Sequence, residues 1–222
     1  MPGGESMSDN PNYHLSGHST GRECIGILLA GGMSKRFGSN KLVQTIDGQP
    51  VAKLSANALS SVCRLSFEAG TGLSGLPRIH NTLGSGPLAA IAESVRHLRD
   101  QGILSLNQCA LILAGDVPSI TASTLHIIAN WPGAASVVPV VNGQKQYLAA
   151  RWSARSLDRS NLLVRNGILR VRDALNLPET QYLSMDTWDD PNNLEFLDID
   201  TLEELHKIVT ARQIYAKGRS RS

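Results

Sequence analysis

The run Leu29-Ala30-Gly31-Gly32-Met33-Ser34-Lys35-Arg36-Phe37-Gly38-Ser39-Asn40-Lys41 follows a short apolar segment, Cys24 to Leu29. It holds three glycines and three cations within 13 residues. Glycine lets the main chain come close to a ligand, and successive N–H groups of such a loop can converge on an anion. Arg36 and Lys41 add full positive charge where phosphates would lie. The loop therefore asks for a nucleotide; the plain alternative is a surface turn with scattered charge. Two familiar phosphate loops are excluded. Walker A needs Ser or Thr after its lysine, and Leu42 follows Lys41. The dinucleotide fingerprint needs G-x-G-x-x-G, whereas Gly31-Gly32 is followed only by Gly38.

Acidic residues complete the chemistry. Asp116 follows the apolar run Cys109 to Ala114 and stands between Gly115 and Pro118. An acid at the carboxyl end of a central strand faces the crevice where open α/β sheets bind ligands. Beside a triphosphate it needs an intervening cation, so Asp116 reads as a Mg²⁺ ligand; the alternative is a cap on the next helix. Asp198 and Asp200 are spaced to share one side of an extended segment. Asp200 reads either as a second Mg²⁺ ligand or as the N-cap of a capping box with Glu203, and the two roles are compatible.

Strands and helices alternate to position these groups. The pattern predicts a first strand over Cys24–Leu29, a helix over Val51–Val62 and a strand over Leu65–Ala69 ended by Gly70. A loop from Gly70 to Gly86, with an extended piece near Arg78, crosses the nucleotide pocket. Helices follow over Leu88–Leu98 and Thr121–Asn130, the latter capped by Thr121 or Ser119. Ala134–Val141 and Gln146–Trp152 form an antiparallel pair turning at Asn142-Gly143, expected as an excursion beside a mostly parallel sheet. Helices over Leu169–Leu175 and Thr201–Val209 and a strand near Gln181–Met185 close the chain. The expected architecture is a three-layer α/β/α sheet wound from β-α-β units.

Composition is that of a globular enzyme: 222 residues, 41% hydrophobic, 18% charged, net charge +2. Residues 1–22 read as a disordered leader, 23–212 as the catalytic domain and 213–222 as a basic flexible tail. The small charge and the lack of basic runs with interleaved aromatics argue against nucleic acid. No long apolar span or signal-peptide core occurs, so no membrane and a cytoplasmic location are expected. Cys24, Cys63 and Cys109 read as free thiols, with Cys24 and Cys109 buried at strand starts.

The pattern L-A-G-G-x-S-x-R-x-G-x-x-K resembles the signature loop of nucleotidyltransferases, above all their MobA-like branch, the molybdenum cofactor guanylyltransferases. Three further segments fall in that family's order: Gly86-Pro87-Leu88-Ala89-Ala90-Ile91, Leu113-Ala114-Gly115-Asp116-Val117-Pro118 and Asp198-Ile199-Asp200-Thr201-Leu202-Glu203-Glu204-Leu205. The resemblance implies nucleotidyl transfer, GMP from GTP, to a phosphate acceptor such as molybdopterin, by a monomer or weak oligomer. Arg36, Lys41 and Asp116 would be catalytic. Leu29, Ala30, Gly31, Gly32, Ser34, Asn81, Gly86, Pro87 and Leu88 would join Lys41 and Asp116 around the nucleotide, with Mg²⁺ on Asp116 and Asp200. The bland reading of Gly86-Pro87 is a turn before a helix.

Three positions depart from the family. Asn81 stands where an acid often precedes G-P-L. Glu68-Ala69-Gly70 replaces an asparagine at the end of the second strand. Gln144-Lys145-Gln146-Tyr147-Leu148 matches the family's acceptor-facing segment, with Tyr147 in place of proline. A sibling enzyme with another base or acceptor, cytidylyl transfer for example, and a degenerate relative that only binds nucleotide remain as alternatives. A nicotinamide oxidoreductase lacks both its glycines and a hydride-transfer site.

Overall fold

The pleat of the central strands sorts the core into two halves. In β1 (Ile25–Ala30), Leu28 and Ala30 point to one face while Ile25 and Ile27 point to the other. In β6 (Ala110–Ala114), Leu111 and Leu113 oppose Ala110 and Ile112 in the same way. A strand apolar on both sides must be covered on both sides, which is the origin of the three layers. The structure is a computed structural model; it describes residues 24–31, 41–79, 86–186 and 194–219, with the side chains of 215–219 left aside.

The remaining strands are β2 (Thr45–Ile46), β3 (Gln49–Pro50), β4 (Leu65–Gly70), β5 (Arg78–Ile79), β7 (Val137–Val141), β8 (Gln144–Lys145), β9 (Ala149–Trp152) and β10 (Gln181–Ser184). The main sheet runs β10-β7-β9-β6-β1-β4-β5, with β8 paired to β7. Its pairs are parallel except those of β9 with β6 and β7 and of β8 with β7. The expected hairpin does turn at Asn142-Gly143, both with positive φ. Its return strand then enters the sheet as β9, between β6 and β7, instead of standing beside it. Trp152 and Ala150 bury one face of β9 completely, which explains why the sheet takes it in.

The helices are α1 (Val51–Val62), α2 (Pro87–Asp100), α3 (Ala122–Asn130), α4 (Ala154–Arg165), α5 (Val171–Leu175) and α6 (Leu202–Arg219). Leu59 of α1, Ile128 of α3 and Ile208 of α6 pack on one face of the sheet. Leu88 of α2, Leu157 of α4 and Leu175 of α5 pack on the other. Thr121 caps α3 by accepting from the Thr124 N–H, as expected. Helix α6 continues through Arg219, beyond residue 212, where the sequence reading begins a basic tail.

Two elements escape the sequence reading. Helix α4 buries Ser156 and Ser160 beside Leu157 and Leu163, so half of its buried stripe is polar and hides its period. Ser153 caps it through the Ser156 N–H, and the Ser136 hydroxyl lies 3.0 and 2.8 Å from those of Ser153 and Ser156. The small β2–β3 hairpin turns on Asp47-Gly48, at φ of 51° and 75°. An Asp-Gly turn of this kind is a hairpin signal. Among the described residues no helix is long and apolar enough to cross a membrane.

Candidate active site

The carboxyl ends of β1, β4 and β6 meet at one end of the sheet, and the fit there is set by two glycines. A Cβ on Gly70 would stand 2.4 Å from the Ala30 carbonyl, and one on Gly115 would stand 3.1 Å from the Leu29 oxygen. Gly115 N–H donates to the Leu29 carbonyl at 2.9 Å, so the turn carrying Asp116 is sewn to the end of β1. The Ala30 carbonyl accepts from the Thr71 N–H at 3.4 Å. The carbonyls of Leu29 and Ala30, two residues that the resemblance puts around the nucleotide, are thus engaged in holding the strand ends together.

Asp116 and Asp200 come together although 84 positions separate them in the sequence. The Ile199 N–H donates to the Asp116 carbonyl at 3.0 Å and fixes the segment before α6 against the strand end. Glu195 accepts a hydrogen bond from Thr124, which secures the same segment to α3, and Arg212 of α6 donates to the Pro118 carbonyl at 2.8 Å, which ties that helix to the Asp116 turn. The Lys41 ammonium, from a 3₁₀ turn at Lys41–Val43, lies 2.7 Å from the Asp116 carboxylate and 2.5 Å from that of Asp200.

The two carboxylates therefore converge on one cation. Burial works against the charge on Lys41, but Asp116 and then Asp200 outweigh it and hold its pKa above the ordinary lysine value. Asp198 lies close by: partial burial, then the charges of Asp116 and Asp200, push its carboxyl above the usual carboxylate range.

The capping reading of Asp200 with Glu203 is overturned. Thr201 and Glu204 form the capping box instead: the Glu204 N–H donates to the Thr201 hydroxyl at 3.2 Å. The Glu204 carboxylate in turn accepts from the N–H groups of Asp200 and Thr201, each at 2.7 Å. The box sits one residue later because Thr201 supplies the hydroxyl that can receive the N3 amide while Glu204 reaches back. That leaves the Asp200 side chain pointing at Lys41.

Of the other sequence-nominated residues, Gly86 sits at φ 88° and leads into α2, where Pro87 occupies the first turn. Leu88 is fully buried, its side chain packed in the core under α2. Gly31 is exposed just beyond β1. Gly32, Ser34, Arg36 and Asn81 lie outside the described residues.

Sequence reasoning missed the work of Glu68. Its buried carboxylate accepts from the N–H groups of Gly72, Leu73 and Ser74 and from the Ser74 hydroxyl, closing the start of the loop after β4. The signal was present: an acid in a strand, followed by a Gly/Ser-rich loop with N–H groups to satisfy. Arg78 completes that loop by donating to the Gly70 carbonyl at 2.7 Å.

Beside Asp116 opens a cleft of about 580 Å³, lined by Asp198, Lys145, Gln146, Tyr147, Phe196 and Lys207 among others. The segment Gln144–Leu148 thus does face the space next to the paired carboxylates. Lys145 also stacks over the Tyr182 ring at 4.0 Å, which orders its side chain at the rim. Among the described residues no three His, Cys, Asp or Glu side chains form a ready metal cage. Two carboxylates around one cation, with Asp116 open to this cleft, suit a hard ion that keeps several waters, as Mg²⁺ does.

A mostly parallel α/β/α sheet, with a glycine-rich sequence after β1 and paired acids at its carboxyl edge, is the frame of a nucleotidyltransferase-type domain. Residues 26–176 match the family model of the MobA-like NTP transferase domain, and the chain belongs to that family. It is a nucleotidyltransferase of the MobA type. A Bacillus cytotoxicus protein described as a "probable molybdenum cofactor guanylyltransferase" is 24% identical, covering 86% of this chain and 99% of its own. One from Pyrococcus horikoshii with the same description is 25% identical over 83% of this chain and 98% of its own. The fold is similar to the molybdopterin-guanine dinucleotide biosynthesis protein A of Archaeoglobus fulgidus, with TM-score 0.65, 17% identity and coverage of 87% and 99% of the two chains. It also resembles 4-diphosphocytidyl-2C-methyl-D-erythritol synthase, with TM-score 0.59, 11% identity and coverage of 85% and 97%.

Proposed function

We propose that the protein transfers GMP from GTP to the phosphate of a molybdopterin-type acceptor and releases pyrophosphate. One observation carries this reading: Asp116 and Asp200 converge on a single cation beside an open cleft at the carboxyl edge of the sheet. The relatives' descriptions as molybdenum cofactor guanylyltransferases support guanylyl transfer and an acceptor of that class.

In the transfer, an oxygen of the acceptor phosphate forms a bond to the α-phosphorus while the bond from that phosphorus to the β-phosphate oxygen breaks. No covalent enzyme intermediate is needed; the protein aligns two anions that repel each other. Asp116 and Asp200 would hold Mg²⁺, which supplies charge neutralisation between the reacting phosphates. Lys41, which stands at the same two carboxylates, would extend to the phosphate chain. There it would join Arg36 and the amides of Gly31, Gly32 and Ser34 in stabilising the departing pyrophosphate. The exposed start of α2, which follows Gly86 at positive φ, would take the nucleoside side. Lys145 and Lys207 place positive charge on the cleft that receives the acceptor.

Pyrophosphate release from GTP with Mg²⁺ and molybdopterin tests the proposal. Release that needs all three components is the expected result. Binding of GTP and Mg²⁺ without release would reassign the protein as a nucleotide-binding relative, and release from CTP alone as a sibling enzyme. The sibling reading has one specific support, the neutral Asn81 in place of an acid near the base.

A further inference from the structure

At the opposite end of the sheet, the amino ends of β1 and β6 hold two cysteines that the transfer chemistry does not use. The parallel register pairs Ile25 with Ala110, which sets Cys24 directly against Cys109. Their sulfurs lie 2.7 Å apart, with neither in a disulfide. Neighbouring strands run about 4.7–4.9 Å apart, within the Cα separation of about 4.4–6.8 Å that a disulfide spans. The sulfurs have only to close from 2.7 Å to the bonded distance of about 2.05 Å.

Both residues line a cleft of about 830 Å³, together with Trp131, Arg151, Ser153 and Glu179. Arg151 forms a fixed wall: its buried guanidinium donates to the carbonyls of Ala129, Trp131, Gly133 and Ala135. Its charge bears on both sulfurs. The two thiols differ in access. Cys24 is 2% exposed, whereas Cys109 is only partly buried at the cleft wall. The third thiol, Cys63, is also buried and belongs to neither the sulfur pair nor the cleft.

We propose that Cys24 and Cys109 form a redox site, a dithiol that closes reversibly to a disulfide at the expense of a low-molecular-weight disulfide such as glutathione disulfide. The Cys109 thiolate attacks one sulfur of glutathione disulfide, forming a mixed disulfide and expelling one glutathione thiolate. The Cys24 sulfur then attacks the Cys109 sulfur, forming the intramolecular bond and expelling the second glutathione. The two protons leave on the two glutathione thiols, and the protein dithiol loses two electrons to the glutathione disulfide. The order follows from access: the cleft admits the oxidant to Cys109, while the burial of Cys24 leaves it to act as the resolving thiol. The bond staples β1 to β6, the two strands whose far ends carry Ala30 and Asp116, and closes a loop of 85 positions.

The full chain, reduced and then incubated with excess glutathione disulfide, should be denatured and alkylated with N-ethylmaleimide. The expected product carries one alkyl group, on Cys63, and its digest contains a Cys24–Cys109 cross-linked peptide that dithiothreitol cleaves. Its melting temperature should exceed that of the reduced protein by several degrees. Cys24→Ser should stop at glutathione on Cys109, and Cys63→Ala should still form the cross-link, which keeps the test decisive if the first variant does not fold. Three alkylated cysteines after oxidation, a cross-link that includes Cys63, or loss of the cross-link in Cys63→Ala would each overturn the assignment.

Discussion

The Lys41 ammonium stands 2.7 Å from the Asp116 carboxylate, and the same nitrogen reaches Asp200. A residue nominated for the phosphates and two nominated for the metal are therefore in contact with one another. Carboxylates facing each other repel unless a cation lies between them. On the proposed function a divalent ion would meet the same requirement at the same oxygens, which would couple its binding to the release of Lys41.

From this coupling, Lys41→Ala should destabilise the protein in chelator and regain most of that loss when Mg²⁺ is added. The same variant should lower turnover by about 2–4 kcal/mol, roughly 30- to 1000-fold, by losing a charge-assisted contact in the transition state. Lys35→Ala, in a variable slot of the loop, should change turnover little. Melting curves with and without Mg²⁺, beside steady-state rates, check both parts. Equal mild effects of the two substitutions on turnover would remove Lys41 from the phosphate role.

Asp200 and Thr201 are neighbours with separable roles. Thr201→Ala removes the hydroxyl that caps α6 and should cost about 1 kcal/mol of stability while leaving the Mg²⁺ dependence of GTP binding intact. Asp116→Ala and Asp200→Ala should instead abolish the extra stabilisation that Mg²⁺ gives the nucleotide complex. Calorimetric titration of the three variants with GTP and Mg²⁺ reads the difference. Unchanged affinity in Asp116→Ala would sink the site.

Cys63 gives the protein an alkaline limit. Burial pushes its thiol from 9.0 up to about 12. The folded state thus keeps a proton that the unfolded chain gives up, so the contribution to stability is complete below pH 9.0 and declines as pH rises from there toward about 12. The decline is at most about 1.4 kcal/mol per pH unit in that window. Denaturant midpoints of wild type and Cys63→Ala at neutral and alkaline pH check this: the wild type should lose stability more steeply, with the two slopes equal if Cys63 contributes nothing.

Much of the scaffold was legible because its signals are local. Helix α1 and the Thr121 cap of α3 fall where periodicity and capping chemistry put them. Helix α4 was not, since Ser156 and Ser160 bury their hydroxyls on the face where apolar residues would have announced it. In the site, Asp116 and Asp200 could be nominated from type and position, but their meeting depends on the Ile199–Asp116 backbone bond, which no spacing encodes. The capping box was misplaced by one residue because Asp200 and Thr201 both suit an N-cap, and each has a glutamate three positions on. Only the packed segment decides which side chain faces the helix and which faces the lysine.

On the proposed function, base choice would turn on Asn81, which lies outside the described residues. Guanine presents donors at N1 and N2, and a carboxylate at this place could accept from both. Asn81 has one acceptor oxygen and an amide NH₂ that would meet those donors unfavourably. Backbone carbonyls of the Gly70–Gly86 loop can still accept from guanine, so GTP should lead CTP by only ~1–2 kcal/mol. Asn81→Asp should widen that margin, because it restores the second acceptor. Dissociation constants of the four nucleoside triphosphates with Mg²⁺, for wild type and Asn81→Asp, measure this. A clear preference for CTP or ATP in the wild type would move the protein to a sibling activity, and an unchanged margin in Asn81→Asp would show that the residue does not reach the base.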